Sequence, residues 1–344
     1  MDPVRRERLV APVNRSSEPN YQGERGRLRD RSEAPDGRPN ETPPTYAILL
    51  PWRLTGQGGV DQVVLNLLRQ CRDTGRFRPR LIQNDWDTQG QVDEEQMGLP
   101  ATRLRIQSLW GEIGTLASLS RYALRLPSTL RQVRRLVRRH GIAVINAHFP
   151  RYDAAGLLLL RRLGLIQTRI ILSFHGSDIR TALQAGGAKR GFYRWMLGEA
   201  DHVVACSQGL MEEIEMLQPD LRARSVIHNG MGAAPNSGRP AAVREPGTSL
   251  IVSVGKFDWR KGHDLLIAAF REVAADRPSL RLWILGGTGA DLGKIRALAA
   301  HDPRIRLFVD VPHDQVLPTV AQADVFALAS RWRKGEYGEG HPIC

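Results

Sequence analysis

The sequence predicts an α/β protein with two doubly wound, mainly parallel sheets in tandem. Short, continuously apolar runs alternate with amphipathic helical segments, and this alternation lapses once near the middle of the chain before it resumes. Continuous apolar runs are typical of parallel strands that helices cover on both faces. A length of 344 residues also exceeds what one hydrophobic core normally organises, which favours two domains.

The first half shows the alternation from Tyr46 onward. The run "YAILLP" (46–51) predicts a strand, and apolar residues recur at helical spacing in the segment that follows, 59–71. Further apolar runs, each ahead of a helical pattern, predict strands at 80–84, 143–149, 169–176 and 202–207. These elements define a predicted N-terminal domain over residues 46–235.

The second half repeats the pattern after a stretch rich in Gly, Pro, Ser and Ala, in which we place a linker at 236–248. The C-terminal domain is predicted over 249–344. Its expected strands lie at 250–255, 280–287, 304–310 and 324–330, and its expected helices at 262–276, 290–301 and 313–323.

Residues 1–45 differ from the rest, because they combine many charged, Pro and Gly residues with almost no large apolar ones. Such a segment cannot bury enough apolar surface to offset its ordering entropy, and it is predicted to be disordered. It also lacks the apolar core of a secretory signal, and no apolar run of the chain approaches the length of a membrane span. The three cysteines, Cys71, Cys206 and Cys344, are too scattered for a disulfide framework or a metal pair. A cytoplasmic protein is therefore expected.

The charge is strongly basic, with a net value of +13. Its densest run is 121–140, which holds seven arginines and no acid. A basic surface suits a phosphate-bearing partner: nucleic acid, anionic lipid or a nucleotide. Apolar residues at helical spacing favour a helix whose basic face is simply solvated; docking of that face on an anionic membrane is the sharper alternative. A nucleic-acid binder is the rival from another class, but no zinc-finger spacing or RNA-recognition motif is present, and we expect no nucleic-acid partner.

In open α/β sheets, ligands bind beyond the carboxyl ends of the strands, so the loops there are the candidate sites. Gly58 and Gly59 directly precede a predicted helix, where glycines let a phosphate approach main-chain N–H groups; the alternative is a tight turn. His175 and Asp178, in "HGSD", follow a buried strand, and His148 follows the neighbouring one. A structural role, in which these side chains hydrogen-bond one another, is the alternative for His148.

Two lysines flank the first loop of the second domain. Lys256 follows the predicted strand and Lys261 precedes the predicted helix, so both could clamp a diphosphate; a solvated basic loop is the alternative. After the last predicted strand, Glu336 and Glu339 stand among glycines, where a carboxylate can accept hydrogen bonds from sugar hydroxyls. Charged loops of this kind are, however, usually only solvated.

The order of motifs resembles that of family 4 glycosyltransferases, which have the GT-B fold of two Rossmann-like domains. The resemblance covers roughly residues 46–344 and rests on the following stretches: "GQGGVDQVVLNLL", "VINAHFPRYDAAGLLLL", "ILSFHGSD", "ADHVVACSQGLMEEI", "VIHNGM", "LIVSVGKFDWRKGHDLLIAAF", "LRLWILGGTG" and "VPHDQVLPTVAQADVFALASR".

The resemblance implies roles for individual residues. Gly58, Gly59, Lys256 and Lys261 would bind the donor diphosphate; the family usually has arginine at position 256, and lysine keeps the charge but not the bidentate fork. His175 and Glu339 would be the catalytic residues beside the transferred sugar. His148, Asp178 and Asn229, the last in "VIHNGM", would be candidate sugar or acceptor contacts.

The resemblance implies a retaining transferase that moves a sugar from a nucleotide-diphosphate sugar to a glycan or lipid-linked acceptor, as in cell-surface polysaccharide synthesis. No cofactor and no metal are expected. In the family's E-x7-E pattern the second carboxylate would fall beyond Cys344, so the second domain is predicted to be incomplete and the sequence to be truncated at its C-terminal end. A sugar-nucleotide epimerase of the same fold and an inactive fragment of a transferase are the alternatives.

Overall fold

The computed structural model describes residues 42–56, 58–106, 116–183, 186–230 and 238–331, and all elements below lie within the unit Pro43–Cys344. The segment predicted to be disordered falls outside the described residues up to residue 41. The first strand begins at Thr45, one residue before the predicted boundary.

The elements of the first half form an eight-stranded sheet with its helices. They are β1 (Thr45–Leu50), α1 (Gly59–Thr74), β2 (Arg78–Asn84), β3 (Gln91–Gln96), β4 (Leu99–Leu104), α2 (Leu116–His140), β5 (Ile142–His148), α3 (Tyr152–Arg162), β6 (Arg169–Phe174), α4 (Ser177–Leu183), α5 (Gly187–Glu199), β7 (His202–Ala205), α6 (Gln208–Leu217) and β8 (Arg224–Val226).

The strand order of this sheet is β3-β4-β2-β1-β5-β6-β7-β8, and every neighbouring pair is parallel except β3 with β4. Without the antiparallel edge strand β3, the order reverses once, between β1 and β5. Ligands of doubly wound sheets bind at this switch point, outside the carboxyl ends of the two strands.

The elements of the second half form a four-stranded sheet. They are β9 (Ser249–Val254), a 3₁₀ turn (Trp259–Lys261), α7 (His263–Ala274), β10 (Leu280–Gly286), α8 (Leu292–Ala299), β11 (Ile305–Val309), α9 (His313–Val320) and β12 (Val325–Phe326). The order is β11-β10-β9-β12, all parallel. Its switch point therefore lies between β9 and β12.

Both sheets are covered on both faces, as the continuous apolar runs predict. In β1, Ala47 and Leu49 belong to one buried cluster and Ile48 and Leu50 to another. In β10, the alternate residues 282 and 284 face one cluster and 283 and 285 the other. Since successive side chains of a strand lie on opposite faces, only a sheet sandwiched between layers buries them all.

Two elements differ from the sequence-based expectation. The strand predicted at 324–330 is paired only at Val325 and Phe326, opposite Ile251 and Val252 of β9. The β3–β4 hairpin, by contrast, was not predicted, because "QVDEEQ" is an exposed antiparallel edge strand with no apolar run. No helix of the described ranges is both long and apolar enough to cross a bilayer.

Candidate functional site

The loop after β1 is shaped by one buried carboxylate. Asp61, in the first turn of α1 and only 3% exposed, accepts hydrogen bonds from Trp52 Nε1 (2.9 Å), the Thr55 main-chain N–H (2.8 Å) and the Gly56 main-chain N–H (2.9 Å). These contacts fold the loop back over the start of the helix. Asp61 was not among the predicted site residues; an acid in the first turn of a predicted helix is the signal that could have found it.

Gly58 and Gly59 lie at the exposed N-terminus of α1, where Gly58 is the N-cap residue. A Cβ added at Gly58 would approach nothing closer than the Asp61 carboxyl carbon at 3.9 Å. Hence no packing within the described residues requires glycine there, and Gly58 is exposed among them. The glycine that the loop itself requires is Gly56, because it has a φ of 76° and its added Cβ would lie 2.8 Å from Met97 Cε.

The loops after β1 and β5 meet at the switch point of the first sheet. The rings of Trp52 and Phe149 contact edge to face with centroids 5.3 Å apart, and the Arg151 guanidinium lies 5.3 Å from the Phe149 ring centroid. Phe149 has a φ of 54°, a left-handed backbone that costs a non-glycine residue about 1–2 kcal/mol. Strain of this kind concentrates at binding and catalytic sites.

The two predicted histidines are in direct contact. His148 ends β5 and His175 follows the adjacent strand β6, so the parallel pairing brings both to the same edge of the sheet. His148 Nδ1 lies 3.0 Å from His175 Nε2. Burial lowers the pKa of His175 to about 4, and burial together with the neighbouring imidazole lowers the pKa of His148 well below its ordinary value. Both rings are therefore neutral at pH 7.

Asp178 holds the main chain beside this pair. Its carboxylate accepts hydrogen bonds from the main-chain N–H groups of His175 (2.9 Å), Gly176 (2.8 Å) and Ile179 (3.0 Å). The side chain is 4% exposed, and its burial raises the pKa of the carboxyl to about 6. The predicted sugar or acceptor contact of Asp178 stays a prediction, while its described contacts give it a positioning role for the "HGSD" turn.

We expect acid to destabilise the fold between pH 6.5 and pH 4. In this range the unfolded chain protonates both imidazoles while the folded chain, with the pKa of each histidine lowered by burial, does not. Asp178 acts in the opposite sense, because its raised pKa lets the folded chain bind a proton first. The pKa of His263 and that of His140 are also lowered, mainly by burial, and the pKa of Asp153 is raised by burial as that of Asp178 is. Four imidazoles outweigh two carboxyls, so the urea midpoint should fall steadily from pH 7 to pH 4.5.

The variant Asp178→Asn separates these contributions. It removes one of the opposing carboxyls, keeps an oxygen that can accept from the same main-chain groups, and should make the decline with acid steeper. A urea midpoint that rises between pH 6.5 and pH 5 in the unaltered chain would contradict the assignment of two neutral buried histidines.

The loop after β9 carries the two predicted lysines. Lys256 is exposed, whereas Lys261 is half-buried, and its side chain lies across Gly255. A Cβ added at Gly255 would lie 2.9 Å from Lys261 Cδ and 3.0 Å from its Cγ, so this glycine makes room for the lysine stem. Within the loop, Arg260 is already paired with Asp258, at 2.8 and 3.1 Å.

His263, which was not predicted as a site residue, also contacts the loop after β9. His263, the first residue of α7, is 2% exposed and places Nε2 3.1 Å from the Gly255 carbonyl oxygen. Burial lowers its pKa, so the ring is neutral and donates from Nε2. Its ring also lies 5.4 Å from that of Phe257, centroid to centroid.

Glycines let the loops after β9 and β12 and the last residue of β10 pack backbone against backbone. A Cβ added at Gly262 would lie 2.0 Å from the Ala329 carbonyl oxygen, and one added at Gly286 would lie 1.9 Å from the Gly255 carbonyl oxygen. Separations below 3.0 Å are not tolerated, so both positions exclude any side chain. The loop that carries the lysines is thereby held at the switch point between β9 and β12.

Arg331, which follows β12, contacts the loop after β9. No sequence pattern indicated that Arg331 would have this role. Its Nε donates to the Trp259 carbonyl (2.7 Å), its Nη2 lies 3.2 Å from Asp264 Oδ2, and its guanidinium stacks 4.6 Å from the Trp259 ring centroid. The residues that follow, including the predicted Glu336 and Glu339, lie outside the described residues.

The other predicted contact, Asn229, is half-buried in the irregular stretch after β8. Its neighbour His228 places Nδ1 3.1 Å from the Cys206 carbonyl oxygen. Cys206 is buried and Cys71 half-buried. Within the described ranges, no three His, Cys, Asp or Glu side chains converge as a metal site would need; the expectation of metal-free chemistry stays a prediction.

Two family models match the chain in tandem. The model described as Glycosyltransferase Family 4 matches residues 57–232, which contain most of the eight-stranded sheet. The model described as Glycosyl transferases group 1 matches residues 248–343, which contain the four-stranded sheet.

Curated relatives match parts of the chain. The glycogen synthase of Mycobacterium tuberculosis is 32% identical over 143 residues, which are 40% of this chain and 34% of that protein. The A subunit of the phosphatidylinositol N-acetylglucosaminyltransferase of Arabidopsis thaliana is 26% identical over 212 residues, 59% of this chain and 45% of that protein. The chain thus spans less than half the length of these relatives.

Solved structures share the architecture at low sequence identity. Sucrose-phosphate synthase of Thermosynechococcus elongatus superposes with a TM-score of 0.58 at 16% identity, over 83% of this chain and 75% of that one. The Escherichia coli trehalose-6-phosphate structure bound with UDP-2-fluoro glucose gives a TM-score of 0.57 at 11% identity, over 83% and 78%. These likenesses confirm the predicted GT-B class of fold. With its family model matched over residues 57–232, more than half of its length, the chain belongs to glycosyltransferase family 4.

Proposed function

We propose that the protein transfers a sugar, with retention of anomeric configuration, from a nucleotide-diphosphate sugar to a glycan or lipid-linked acceptor. The observation that carries this proposal is the placement of the candidate residues at the switch points of the two sheets. At the first switch point, Gly58 and Gly59 lie in the loop after β1, and His148 is the last residue of β5. At the second, Lys256 and Lys261 follow β9. These are the places where doubly wound sheets bind nucleotides and phosphates.

The lysine loop would bind the donor diphosphate. In the proposed reaction the bond from the anomeric carbon to the leaving phosphate oxygen breaks and a bond to the acceptor oxygen forms. The acceptor's hydroxyl proton passes to the leaving phosphate. Negative charge grows on the diphosphate in the transition state, and Lys261, with Lys256, would stabilise it. Among the structures of this fold, the Escherichia coli one is bound with UDP-2-fluoro glucose and a starch synthase IV from Arabidopsis thaliana is bound to ADP and acarbose, which supports a nucleotide-diphosphate sugar as the class of donor.

The acceptor is proposed only as a class. One curated relative is named a glycogen synthase, and another is named a subunit of a phosphatidylinositol N-acetylglucosaminyltransferase. The first name refers to a glycan and the second to a lipid, so both classes of acceptor are proposed. Polysaccharide synthesis is the context that we propose. On the proposed acceptor side of the first switch point, the rings of Trp52 and Phe149 are in contact. Trp52 also contacts Asp61 in the first turn of α1, at whose exposed N-terminus Gly58 and Gly59 would contact the donor diphosphate.

Product analysis tests this proposal. The protein is incubated with isotopically labelled UDP-, GDP- or ADP-sugars and a panel of glycan and lipid-linked acceptors, and the products are read by mass spectrometry and NMR. We expect a product in which the labelled sugar is joined to an acceptor in the donor's anomeric configuration. A free epimerised sugar or sugar nucleotide, formed without any acceptor, would support the epimerase instead.

We further propose that α2 brings the protein to an anionic membrane, at the inner face of the cytoplasmic membrane. Arg131, Arg135 and Arg138 lie on the exposed face of this helix, and Leu124, about two turns before Arg131, is 81% exposed. The opposite face, through Val133 and its neighbours, is buried in the core. A basic face with an exposed apolar residue is the chemistry that attracts anionic lipid.

Flotation on vesicles tests the membrane contact. We expect recovery on phosphatidylcholine vesicles that contain phosphatidylglycerol, and little on phosphatidylcholine alone. The triple substitution of Arg131, Arg135 and Arg138 by Gln should lower vesicle affinity on the order of 10²-fold, at about 1 kcal/mol per basic residue. The matched control is the same substitution at three exposed arginines elsewhere, Arg190, Arg277 and Arg296. Equal recovery on both vesicle types, or equal loss in both triple variants, would sink the proposal.

A further inference from the structure

The contact between the two buried histidines restricts where their protons can be. We propose that His148 is a positioning residue that donates from Nδ1 to His175 Nε2, and so holds His175 in the tautomer whose proton is on Nδ1. His175 is then a hydrogen-bond donor at the first switch point and not a base. The meaning of this tautomer for catalysis rests on the proposed transferase function; the tautomer itself does not.

The geometry of the pair supplies the first step. The His148 Nδ1 and His175 Nε2 atoms are 3.0 Å apart, and the rings are tilted by 32° with centroids 5.1 Å apart. The main chain of His175 is held by the Asp178 carboxylate, and His148 is the last residue of a central strand, 3% exposed. A separation of 3.0 Å is that of a hydrogen bond, because two lone pairs or two N–H groups facing each other at this distance would repel.

The number of protons on the two rings leaves two possible arrangements. A hydrogen bond between two neutral imidazoles holds one proton, and each ring carries one in total. Either His148 donates from Nδ1 and His175 keeps its proton on Nδ1, or His175 donates from Nε2 and His148 keeps its proton on Nε2. The depressed pKa of both groups excludes a second proton on either ring at pH 7.

The surroundings of His148 decide between the two arrangements. Its Nε2 is buried and has no hydrogen-bond partner among the described residues. If His175 donated, the His148 Nε2 would carry a buried N–H without an acceptor. Orphaned buried N–H groups are rarer than under-satisfied acceptors, and each unsatisfied buried group costs about 1–3 kcal/mol. The arrangement with a bare Nε2 on His148 is therefore favoured, and His175 Nδ1 keeps its proton.

The consequence concerns the reaction that we propose. A protonated Nδ1 on His175 can donate to an oxygen of a bound sugar, but it cannot accept the proton of the acceptor hydroxyl. That proton is left to the leaving phosphate, as in the proposed transfer. His148 thus acts on the substrate only through His175.

Histidine-selective ¹⁵N labelling with long-range ¹H–¹⁵N correlation reads the tautomers directly in the intact chain. His263 supplies an internal reference, because it is buried and contacts a carbonyl through Nε2 (3.1 Å), so its proton is on Nε2. Single His→Gln variants assign the signals. We expect His175 to give the opposite pattern to His263, with its proton on Nδ1. A pattern like that of His263 in the unaltered protein would overturn the proposal without any variant.

Two substitutions of His148 test its part in holding the tautomer. His148→Asn offers a carboxamide N–H near the place of Nδ1 and should keep His175 protonated on Nδ1. His148→Phe retains a ring without a donor and should shift His175 toward the Nε2 tautomer. If the protein transfers sugar, His148→Phe should also raise the KM for the donor more than tenfold, with partial rescue by Asn. An unchanged His175 tautomer in His148→Phe would overturn the role of His148. The expected tautomers in a protein without transfer activity would leave the hydrogen-bond assignment standing and remove the proposed function.

Discussion

The substitution Lys261→Ala should lower the rate of sugar transfer on the order of 10²–10³-fold and leave the fold intact. This is the usual cost of removing one group that stabilises developing charge in a preorganised site. Lys261 is half-buried with its stem across Gly255, so its ammonium is held at the switch point of the second sheet. Initial rates of nucleoside-diphosphate release measure the effect, and circular dichroism measures the fold.

Arg296→Ala is the matched control, because it removes one positive charge from an exposed helical position of the same sheet's covering layer. It should change the rate less than about twofold. An equal loss in both variants would mean that net charge, not the position of Lys261, supports the reaction. A Lys261→Ala protein that retains full activity would remove the lysine from the proposed mechanism.

Gly262→Ala should destabilise the protein by at least about 2 kcal/mol and weaken donor binding as well. The residue has a φ of 64°, which costs an alanine about 1–2 kcal/mol, and the added Cβ would lie 2.0 Å from the Ala329 carbonyl oxygen. The segment after β12 or the 3₁₀ turn that carries Lys261 must therefore move. Urea unfolding measures the loss of stability, and a thermal-shift titration with nucleotide sugars measures the loss of donor binding.

Gly293→Ala is the control for this substitution. It lies in α8, has no positive φ, and its added Cβ would meet nothing within 4 Å. Alanine in a helix is favoured over glycine by roughly 0.5–1 kcal/mol, so this variant should be neutral or slightly stabilised. Similar urea midpoints for Gly262→Ala and the unaltered chain would show that the loops after β9 and β12 are not interlocked as described.

The fold was predictable where burial on both faces left a continuous apolar run. The strands at 46–51 and 250–255 are found within a residue of their predicted bounds, at Thr45–Leu50 and Ser249–Val254. The hairpin of β3 and β4 was not predictable, because an exposed edge strand needs no apolar run. Nor could sequence alone limit the last strand to Val325 and Phe326, since β9 continues to Val254 and the pairing ends where the chain after Phe326 leaves it.

The candidate site was predictable as a set of positions at strand ends, and less so as a set of contacts. His148 and His175 were expected near each other, and the structure places them in hydrogen-bond contact. Asp61, His263 and Arg331 were missed because each acts through tertiary contacts with main-chain groups of another segment. Such contacts leave no periodic pattern, so only the folded arrangement reveals them.

Hydrogen–deuterium exchange with and without UDP, GDP and ADP tests the central proposal, that the donor diphosphate binds at the loop after β9, most directly. We predict that the nucleoside diphosphate that binds slows exchange in peptides that cover 255–263 and 285–291, and that Lys261→Ala abolishes this protection. Protection confined to loops of the eight-stranded sheet, or protection unchanged in Lys261→Ala, would contradict it.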